Sequence, residues 1–309
     1  MNTATVLDFA AHTPVQNKAI PVRHLAFNFD ASQADDKFYL RAELATAYFE
    51  ALSIFLTYGE DLVIDTARHH RQFLTDPLLK QRVTALIGQE AIHSKMHNEW
   101  NDVLAQHRFP VPLFRFLGSK VFEYGFNRFP QPLKLSMMAG IEHFTAVLAE
   151  FMMKHEDNFF ETSDAQQRAL WMWHMLEESE HKDIAYDVYQ TLSANYPLRV
   201  VGFVIALITI TVLVPFAATL IPVIRKPSNV LSLSYWKDVK RSAALIFGRE
   251  DGVYGSSLSH IFDYLRRDFH PNDHDTSEWL AYYKQRLLDP KTGLLAPYFV
   301  REFTPGLQA

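Results

Sequence analysis

Two stretches of the sequence carry a glutamate followed three residues later by a histidine, with a second histidine one helical turn away. These residues are Glu90, His93 and His97 in the first stretch and His174, Glu178 and His181 in the second. An α-helix turns by about 100° per residue, so each trio occupies a narrow arc on one side of its helix. A carboxylate and two imidazoles on one face are suitable ligands for a transition-metal ion.

Two further glutamates precede these stretches at similar distances. Glu60 lies 30 residues before Glu90, and Glu142 lies 36 residues before Glu178. Both lie among apolar residues at helical spacing, where an acid is costly unless it is paired or metal-bound. A single Glu-x-x-His pair is expected about once by chance. The repeated order of one Glu and then Glu-x-x-His is typical of a bundle that holds two metal ions. The alternative is a set of buried ion pairs.

The sequence therefore predicts an all-α fold: a ferritin-like four-helix bundle, a long apolar membrane helix and a small helical C-terminal region. The predicted cofactor is a pair of metal ions, iron in the first place, with manganese or zinc as alternatives. The predicted ligands are Glu60, Glu90, His93 and His97 for one ion and Glu142, His174, Glu178 and His181 for the other. Glu142 is the expected bridging carboxylate.

Three other residues near these ligands are candidates for a catalytic role. Glu177 and Glu180 lie on other faces of the fourth helix, so we expect them either in solvent or in a supporting layer behind the ligands. From that layer either one could act as a general base. Thr145 lies within one turn of Glu142 and is expected to line a pocket.

The composition limits the classes of function. The chain has 309 residues, 48% of them hydrophobic, and a formal net charge of -5 without a basic run, so nucleic acid is not an expected partner. It has no cysteine, which excludes disulfides, thiolate nucleophiles, iron–sulfur clusters and cysteine-bound zinc. We find no signal peptide in the N-terminal sequence and no dinucleotide, phosphate-loop or serine-hydrolase motif.

The chain divides into four parts by pattern. These are an N-terminal arm at 1–38, the bundle at 39–196, a membrane segment at 197–225 and a helical region at 226–309. In the bundle, Asp76 and Pro77 begin the second helix, and Ser163 caps the fourth, which continues to about Asn195. The connector at 107–132 contains a short apolar helix. The later stretch FHPNDHD is interpreted as a polar turn that caps a helix, with a second metal site as the alternative.

Residues 200–224 contain no charged side chain. As a helix they would be about 37 Å long, which exceeds the roughly 30 Å of a bilayer core. We expect a span of the cell membrane or a re-entrant segment, since Pro215 and Pro222 each remove a backbone hydrogen bond. The alternative is a helix buried in an oligomer interface, such as a homodimer. Basic residues at both ends leave the orientation open, and the bundle is expected on the cytoplasmic side.

The sequence resembles a bacterial family described as predicted metal-dependent hydrolases with a ferritin-like bundle. The matching motifs are YGE at Glu60, GQEAIHSKMHNEWN at Glu90, EHFTAVLAE at Glu142 and WMWHMLEESEHKDIAYDVY at Glu178, and the likeness covers about 40–290. The fourth helix is also similar to that of di-iron arylamine N-oxygenases. In those enzymes a histidine one turn before Glu-x-x-His supplies a further iron ligand, and His174 stands at that position. His97 has no such counterpart.

Three functions remain open at this point. The first is O₂-dependent oxidation of an apolar or lipid-like substrate by two irons, with an electron donor that the sequence does not identify. The second is hydrolysis by a metal-activated water, as the family's description implies. The third is a non-enzymatic role in iron storage or as a membrane scaffold, which the complete ligand set disfavours.

Overall fold

The described part of the chain contains helices and no β-strand. The computed structural model describes residues 20–33, 42–161, 163–250 and 252–300. Within these ranges the only β pairing is an isolated bridge between Leu25 and Phe299. The all-α prediction is therefore confirmed. Most of the predicted N-terminal arm lies outside the described residues, and the division into four parts stays a prediction.

The helices follow one another with short connections. In chain order they are α1 (Glu43–Arg71), α2 (Pro77–His107), α3 (Val111–Tyr124), α4 (Gln131–Lys154), α5 (Glu156–Phe160), α6 (Ala165–His181), α7 (Ile184–Leu192), α8 (Tyr196–Ile208), a π-helical turn at Thr209–Leu213, α9 (Val214–Arg225), α10 (Leu233–Phe247), α11 (Val253–Ser256), α12 (Leu258–Asp263) and α13 (Ser277–Leu288). Helices α1, α2, α4 and α6 pack together as the bundle, and α3 lies in the predicted connector between the two pairs.

The helix starts agree only in part with the sequence prediction. The Asp76 side chain accepts a hydrogen bond from the Leu78 amide, with Pro77 at the first helical position, as expected. Helix α6, however, is capped by Asp164, whose carboxylate accepts from the Gln167 amide at 2.9 Å. Ser163 instead donates its hydroxyl hydrogen to a backbone carbonyl in the preceding turn.

The predicted fourth helix is divided into two. Helix α6 ends at His181 and α7 begins at Ile184. Between them, Lys182 and Asp183 are buried and form ion pairs with distant residues, Glu150 on α4 and Arg82 on α2. These contacts cross between helices, so the local pattern gives no sign of the break.

The apolar core lies on both sides of a polar layer. Along α1, Phe49 and Ile54 belong to a large cluster of buried apolar residues, whereas Val63 and Ala67 belong to a second cluster. Glu60 lies between the two clusters and is itself buried. Burying one large apolar side chain contributes about 1.5–3 kcal/mol, so the two clusters together can offset the cost of burying acids between them.

The apolar segment forms one helix that is not re-entrant. Tyr196–Arg225 is continuous through the π-helical turn, and within the described residues it is the one helix long and apolar enough to cross a membrane. The π-helical turn comes just before Pro215, which cannot donate a backbone hydrogen bond to the preceding turn. Of the most apolar 18 residues of this helix, 28% are buried.

One face of this helix packs tightly on the bundle. Helix α8 contacts α4, and α9 contacts α1. The approach is closest where glycines face the partner: a Cβ on Gly140 would lie 2.8 Å from the backbone of Phe203, and one on Gly202 would overlap Ser136. The opposite face, including Val204, Ile208 and Phe216, is exposed. Helices α8 and α9 therefore lie along the bundle and leave an apolar face uncovered.

Candidate metal centre

The four bundle helices bring all eight predicted ligands into one buried region. Helix α1 supplies Glu60, α4 supplies Glu142, α2 supplies three residues and α6 supplies three. The complete set is Glu60, Glu90, His93, His97, Glu142, His174, Glu178 and His181, and each is at most 4% exposed. Residues that are far apart in the chain therefore meet in the polar layer between the two apolar clusters.

The first group of candidate ligands combines both Glu-x-x-His pairs. Donor atoms of Glu90, His93, Glu178 and His181 lie within 4.8 Å of one another. The His181 Nε2 atom is 3.2 Å from the Glu90 carboxylate, and His93 Nδ1 is 3.9 Å from both glutamates. Two carboxylates and two imidazoles at this separation can enclose one cation.

The second group lies beside the first. Donor atoms of Glu60, His97 and His174 also lie within 4.8 Å of one another. The His174 Nδ1 atom is 3.0 Å from His97 Nε2 and 3.8 Å from Glu60 Oε1. The Glu178 Oε1 atom is 3.1 Å from His174 Nε2, so this carboxylate belongs to the first group and also touches the second. The arrangement suits two neighbouring cations.

The distances group the candidate donors differently from the expected assignment. Helices α2 and α6 face each other, so their Glu-x-x-His motifs lie in one group of donors. Glu178 belongs to that group and also contacts the second, and the bridging role expected for Glu142 stays a prediction. Glu142 lies at the edge of the first group, where its Oε2 accepts a hydrogen bond from His181 Nδ1 at 2.6 Å. Which helix faces pack against each other is decided by the tertiary structure, and the periodicity of a single helix cannot predict it.

Several buried donor atoms in the centre lack a hydrogen-bond partner. They are both carboxylate oxygens of Glu60, Glu90 Oε1, Glu178 Oε2, His93 Nδ1 and His181 Nε2. An unsatisfied buried polar atom costs about 1–3 kcal/mol, so six in one small region need an explanation. Among the described residues, no lysine or arginine forms an ion pair with these carboxylates. Imidazoles do lie close to them, at 3.1 Å between His174 and Glu178 and 3.2 Å between His181 and Glu90. The unsatisfied atoms therefore fit metal ligands, and the alternative of buried histidine–carboxylate pairs stays open.

The acids of the centre cannot all be ionised without a nearby positive charge. Burial, helped by the charge of Glu90, raises the pKa of Glu60 well above its ordinary value. Burial also raises the pKa of Glu142 to about 8, although His181 opposes the shift. For Glu178, the hydrogen bond from His174 and nearby imidazoles outweigh burial and lower the pKa to about 2. Divalent cations would balance these carboxylates.

The two additional histidines are held in the form that binds metals. Burial, together with the neighbouring imidazoles, lowers the pKa of His97 well below its ordinary value. Burial also lowers the pKa of His174. Both rings are therefore neutral at pH 7, and a neutral imidazole is the form that ligates a metal ion.

A layer of contacts behind the ligands orients the imidazoles. The Glu177 carboxylate lies 3.0 Å from His93 Nε2 and accepts a hydrogen bond from Arg23 at 2.8 Å, which leaves His93 Nδ1 facing the centre. On the other side, His97 Nδ1 lies 2.9 Å from the Ser53 hydroxyl, which donates to Asn101. Such contacts behind the ligands set ring orientation in metal sites.

Glu177 and Glu180 are buried and not in solvent. Glu180 is bonded to Arg23 at 2.6 Å and to Lys284 at 2.7 Å. Although burial opposes ionisation, these two cations lower the pKa of Glu180 to about 2. Both acids are thus already engaged as acceptors. Arg23 was missed by sequence reasoning, because it lies in the predicted loose arm and belongs to no periodic pattern.

An apolar pocket is lined by Thr145 and by residues next to Glu60 and Glu142 in the helices that carry them. The pocket lies between α1, α4, the end of α3 and the π-helical turn. The Thr145 hydroxyl donates to the Ile141 carbonyl at 3.1 Å, so the pocket wall is almost entirely apolar.

The later polar stretch behaves as a turn. The His270 side chain accepts from the Asn272 amide and bonds to Asp187, and His274 bonds to Asp263. Among the described residues, neither histidine belongs to a group that could hold a metal ion. The turn interpretation therefore accounts for both residues.

The fold and the buried donors define a helical-bundle protein with a candidate metal centre of carboxylates and imidazoles. The chain belongs to the family described as predicted metal-dependent hydrolases, whose family model matches residues 21–275. This range includes all eight candidate ligands as well as Arg23. No curated protein and no solved structure matches the chain, so the expected likeness to ferritin-like proteins and N-oxygenases stays a prediction.

Proposed function

We propose that the chain is an enzyme that holds two iron ions between α1, α2, α4 and α6 and oxidises an apolar substrate with O₂. The observation that carries the proposal is the pair of adjoining ligand groups that share Glu178. Di-iron bundles hold their two metal ions in this way. Two helices each supply one glutamate, and the other two each supply a Glu-x-x-His motif.

The candidate ligands form two groups, and each group would bind one ion. Glu90, His93, Glu178 and His181 would hold one ion, and Glu60, His97 and His174 the other, in a region closed to water by the two apolar clusters. When bound, a pair of irons supplies electrons to O₂, and a separate electron donor restores them. Glu177 and Ser53 keep the rings of His93 and His97 oriented.

The character of the apolar pocket supports oxidation. Among its described lining residues, Thr145 and Thr209 are the only ones with polar side chains, and both hydroxyls donate to backbone carbonyls in their own helices. Hydrolysis usually requires a proton donor for the leaving group and donors for a developing oxyanion. Attack on a hydrocarbon requires neither, so this pocket suits an apolar or lipid-like substrate.

The family's description favours a second candidate, metal-dependent hydrolysis. Two divalent ions about 3.5–4 Å apart could lower the pKa of a shared water and polarise a substrate oxygen. A general base would then have to come from the ligands, because Glu177 and Glu180 are bonded to Arg23.

Metal analysis and optical spectra of the purified protein, with and without O₂, separate the two candidates. We expect about two irons per chain and an absorbance that depends on O₂. Bound zinc or manganese, no response to O₂ and turnover of an ester or amide substrate would contradict oxidation and support hydrolysis. A chain that binds no transition metal at all would contradict both.

We further propose that the protein is attached to a membrane by an apolar surface formed by α3, α8 and α9. Arg225 at the end of α9 donates to the Phe109 carbonyl just before α3, so these helices are neighbours. Helix α3 and the long helix formed by α8 and α9 each expose large apolar side chains. These include Phe116 and Leu117 on α3 and Ile208 and Phe216 on the long helix. A helix that lies along the bundle in this way favours insertion into one leaflet over a free span.

Charges beside this surface favour a lipid partner over a second copy of the chain. Lys226, Lys237, Lys240 and Arg241 follow the end of α9 and are exposed, with Trp236 among them. Basic side chains and tryptophan are typical of segments that bind anionic lipid headgroups. Flotation with vesicles tests the proposal, and a water-soluble homodimer that does not float would contradict it.

A further inference from the structure

Gly59 is unusual because it is a glycine in the middle of a long helix. It lies on α1 directly before Glu60, with more than ten helical residues on each side. Glycine is the weakest helix former after proline, so such a position needs a compensating reason. No turn, break or positive φ occurs there to provide one.

The space beside Gly59 is open. A Cβ atom built on Gly59 would have no heavy atom within 4 Å, whereas the same atom on Gly88, Gly118 or Gly140 would collide with a neighbour. Close packing of a neighbouring part of the chain therefore explains these three glycines but not Gly59. The open space is the apolar pocket, which Gly59 lines.

The pocket is lined by neighbours of two candidate ligands, although no candidate ligand is among its described lining residues. On α1, Gly59 is adjacent to Glu60 in the chain, and Leu56 lies one turn before that acid. On α4, Thr145 lies about one turn after Glu142. One turn is about 5.4 Å along the helix axis, so this side of the pocket lies about one turn from two of the four carboxylates.

The pocket also borders the apolar surface that we propose to face the membrane. Its wall there is formed by Phe122 in α3, by Phe126 just after α3 and by the π-helical turn Thr209–Leu213. Val121 and Val212, next to these walls, are exposed members of the apolar surface. A ligand that enters here would come from the hydrocarbon interior of a bilayer and not from water.

We infer that this pocket, with a volume of about 70 Å³, binds the terminal part of a single hydrocarbon chain, such as the acyl chain of a fatty acid or lipid, and that Gly59 keeps the pocket open next to Glu60. The lining offers apolar contact along its length and no charged side chain to pair with a headgroup. The chain end would therefore lie nearest the metal centre and the headgroup outside. The inference names the substrate class of the proposed function and depends on that function only for the reaction that follows binding.

Photo-crosslinking of the full-length, metal-loaded protein tests the inference. The probe is a palmitate analogue with a diazirine in its chain, and the labelled peptides are mapped by mass spectrometry. We expect labelling of α1, α4 and residues 206–214, with one chain per protein and competition by unlabelled palmitate. Labelling confined to the outer apolar surface, or no saturable labelling, would overturn the inference.

Two substitutions make the test specific. The Cβ atom of Gly59→Leu meets no neighbour and the rest of the side chain enters the pocket, so we expect labelling of the pocket to fall at least tenfold while metal content is unchanged. Gly59→Ala fills it only in part and improves the helix, so it should fold at least as well as the natural chain and label less. The control is Ala91→Leu, which places the same side chain next to Glu90 on the exposed side of α2.

The outcomes separate this inference from the proposed function. Saturable labelling that Gly59→Leu abolishes, in a protein without an O₂ response, would support the chain site and contradict the oxidation. Two irons and an O₂ response without pocket labelling would support the oxidation and contradict the chain site. Equal pocket labelling of Gly59→Leu and Ala91→Leu would show that the chain lies elsewhere.

Discussion

At the scale of single residues, the centre is distinguished by carboxylates that no protein donor satisfies. Glu60 has two such oxygens, and Glu90 and Glu178 have one each. Glu180 lies in the same region of α6, but it is bonded to Arg23 and Lys284. Burial alone therefore does not make an acid a candidate ligand; what distinguishes the candidates among the described residues is that no lysine or arginine pairs with them.

Glu90→Gln and His181→Ala test the ligand set. Each removes a donor from the first group, so we expect the metal content to fall by at least one ion per chain. Glu180→Gln is the matched control, because it changes an equally buried acid that faces Arg23, and it should retain both ions. Elemental analysis of the purified variants measures the content. A His181→Ala protein with unchanged metal would remove His181 from the ligand set.

Metal binding should release protons at pH 7. Glu142, with a pKa of about 8, and His181, with a pKa of about 10, both carry protons in the metal-free protein at this pH. A cation repels these protons, so metal affinity should rise as the pH increases from 6 to 8. Calorimetric titration in buffers of different ionisation enthalpy measures the release. Affinity that falls over this pH range would contradict the assignment.

Glu177 should affect the metal without binding it. Its carboxylate lies 3.0 Å from His93 Nε2 and leaves Nδ1 for the ion. Loss of such an orienting contact typically weakens metal affinity by about 10–100-fold. We therefore expect Glu177→Gln to bind the same number of ions, but more weakly, in competition with a chelator of known affinity. Loss of a whole ion would instead place Glu177 among the ligands.

At the scale of secondary-structure elements, the long apolar helix has two different faces. Arg199, Phe203, Ala206 and Ala217 are buried against the bundle, whereas the opposite face is exposed. A helix packed on all sides would expose no apolar face. The element therefore covers the bundle on one side and exposes an apolar face on the other, which is part of the surface that we propose to contact lipid.

Charge on the exposed face should weaken membrane binding while leaving the fold intact. We expect a double variant, Ile208→Lys with Phe216→Lys, to reduce flotation with anionic vesicles at least tenfold, because each charge costs roughly 2–4 kcal/mol in the bilayer core. Exposed side chains of this kind make few contacts within the protein. Helix content by circular dichroism and metal content serve as controls. Unchanged flotation would show that another surface contacts the membrane.

At the scale of the whole molecule, the metal centre joins four helices that are far apart in the chain. Ions that bind only the folded state stabilise it, by about 2.7 kcal/mol at a hundredfold excess over the dissociation constant. We expect chelation to lower the melting temperature by at least about 5 °C, and added metal to restore it. Glu90→Gln should respond less to the chelator. A melting temperature that does not change on chelation would contradict a centre that holds the bundle together.

The helices and the types of ligand were predictable from the sequence, because both depend on local spacing. A period near 3.6 residues places Glu90 and His93 on one face whatever surrounds the helix. Local signals also predicted the start of α2 at Asp76 and Pro77. Boundaries were less predictable where distant side chains intervene, as at Lys182 and Asp183.

Only the tertiary structure decided how the donors combine. The sharing of Glu178 between two groups, the position of Glu142 at the edge and the contact of Arg23 with Glu177 all depend on which helix faces meet. The packing of α8 and α9 along the bundle likewise depends on where Gly140 and Gly202 allow close approach. Periodicity describes one element at a time, whereas contacts between elements arise from the packing of the whole chain.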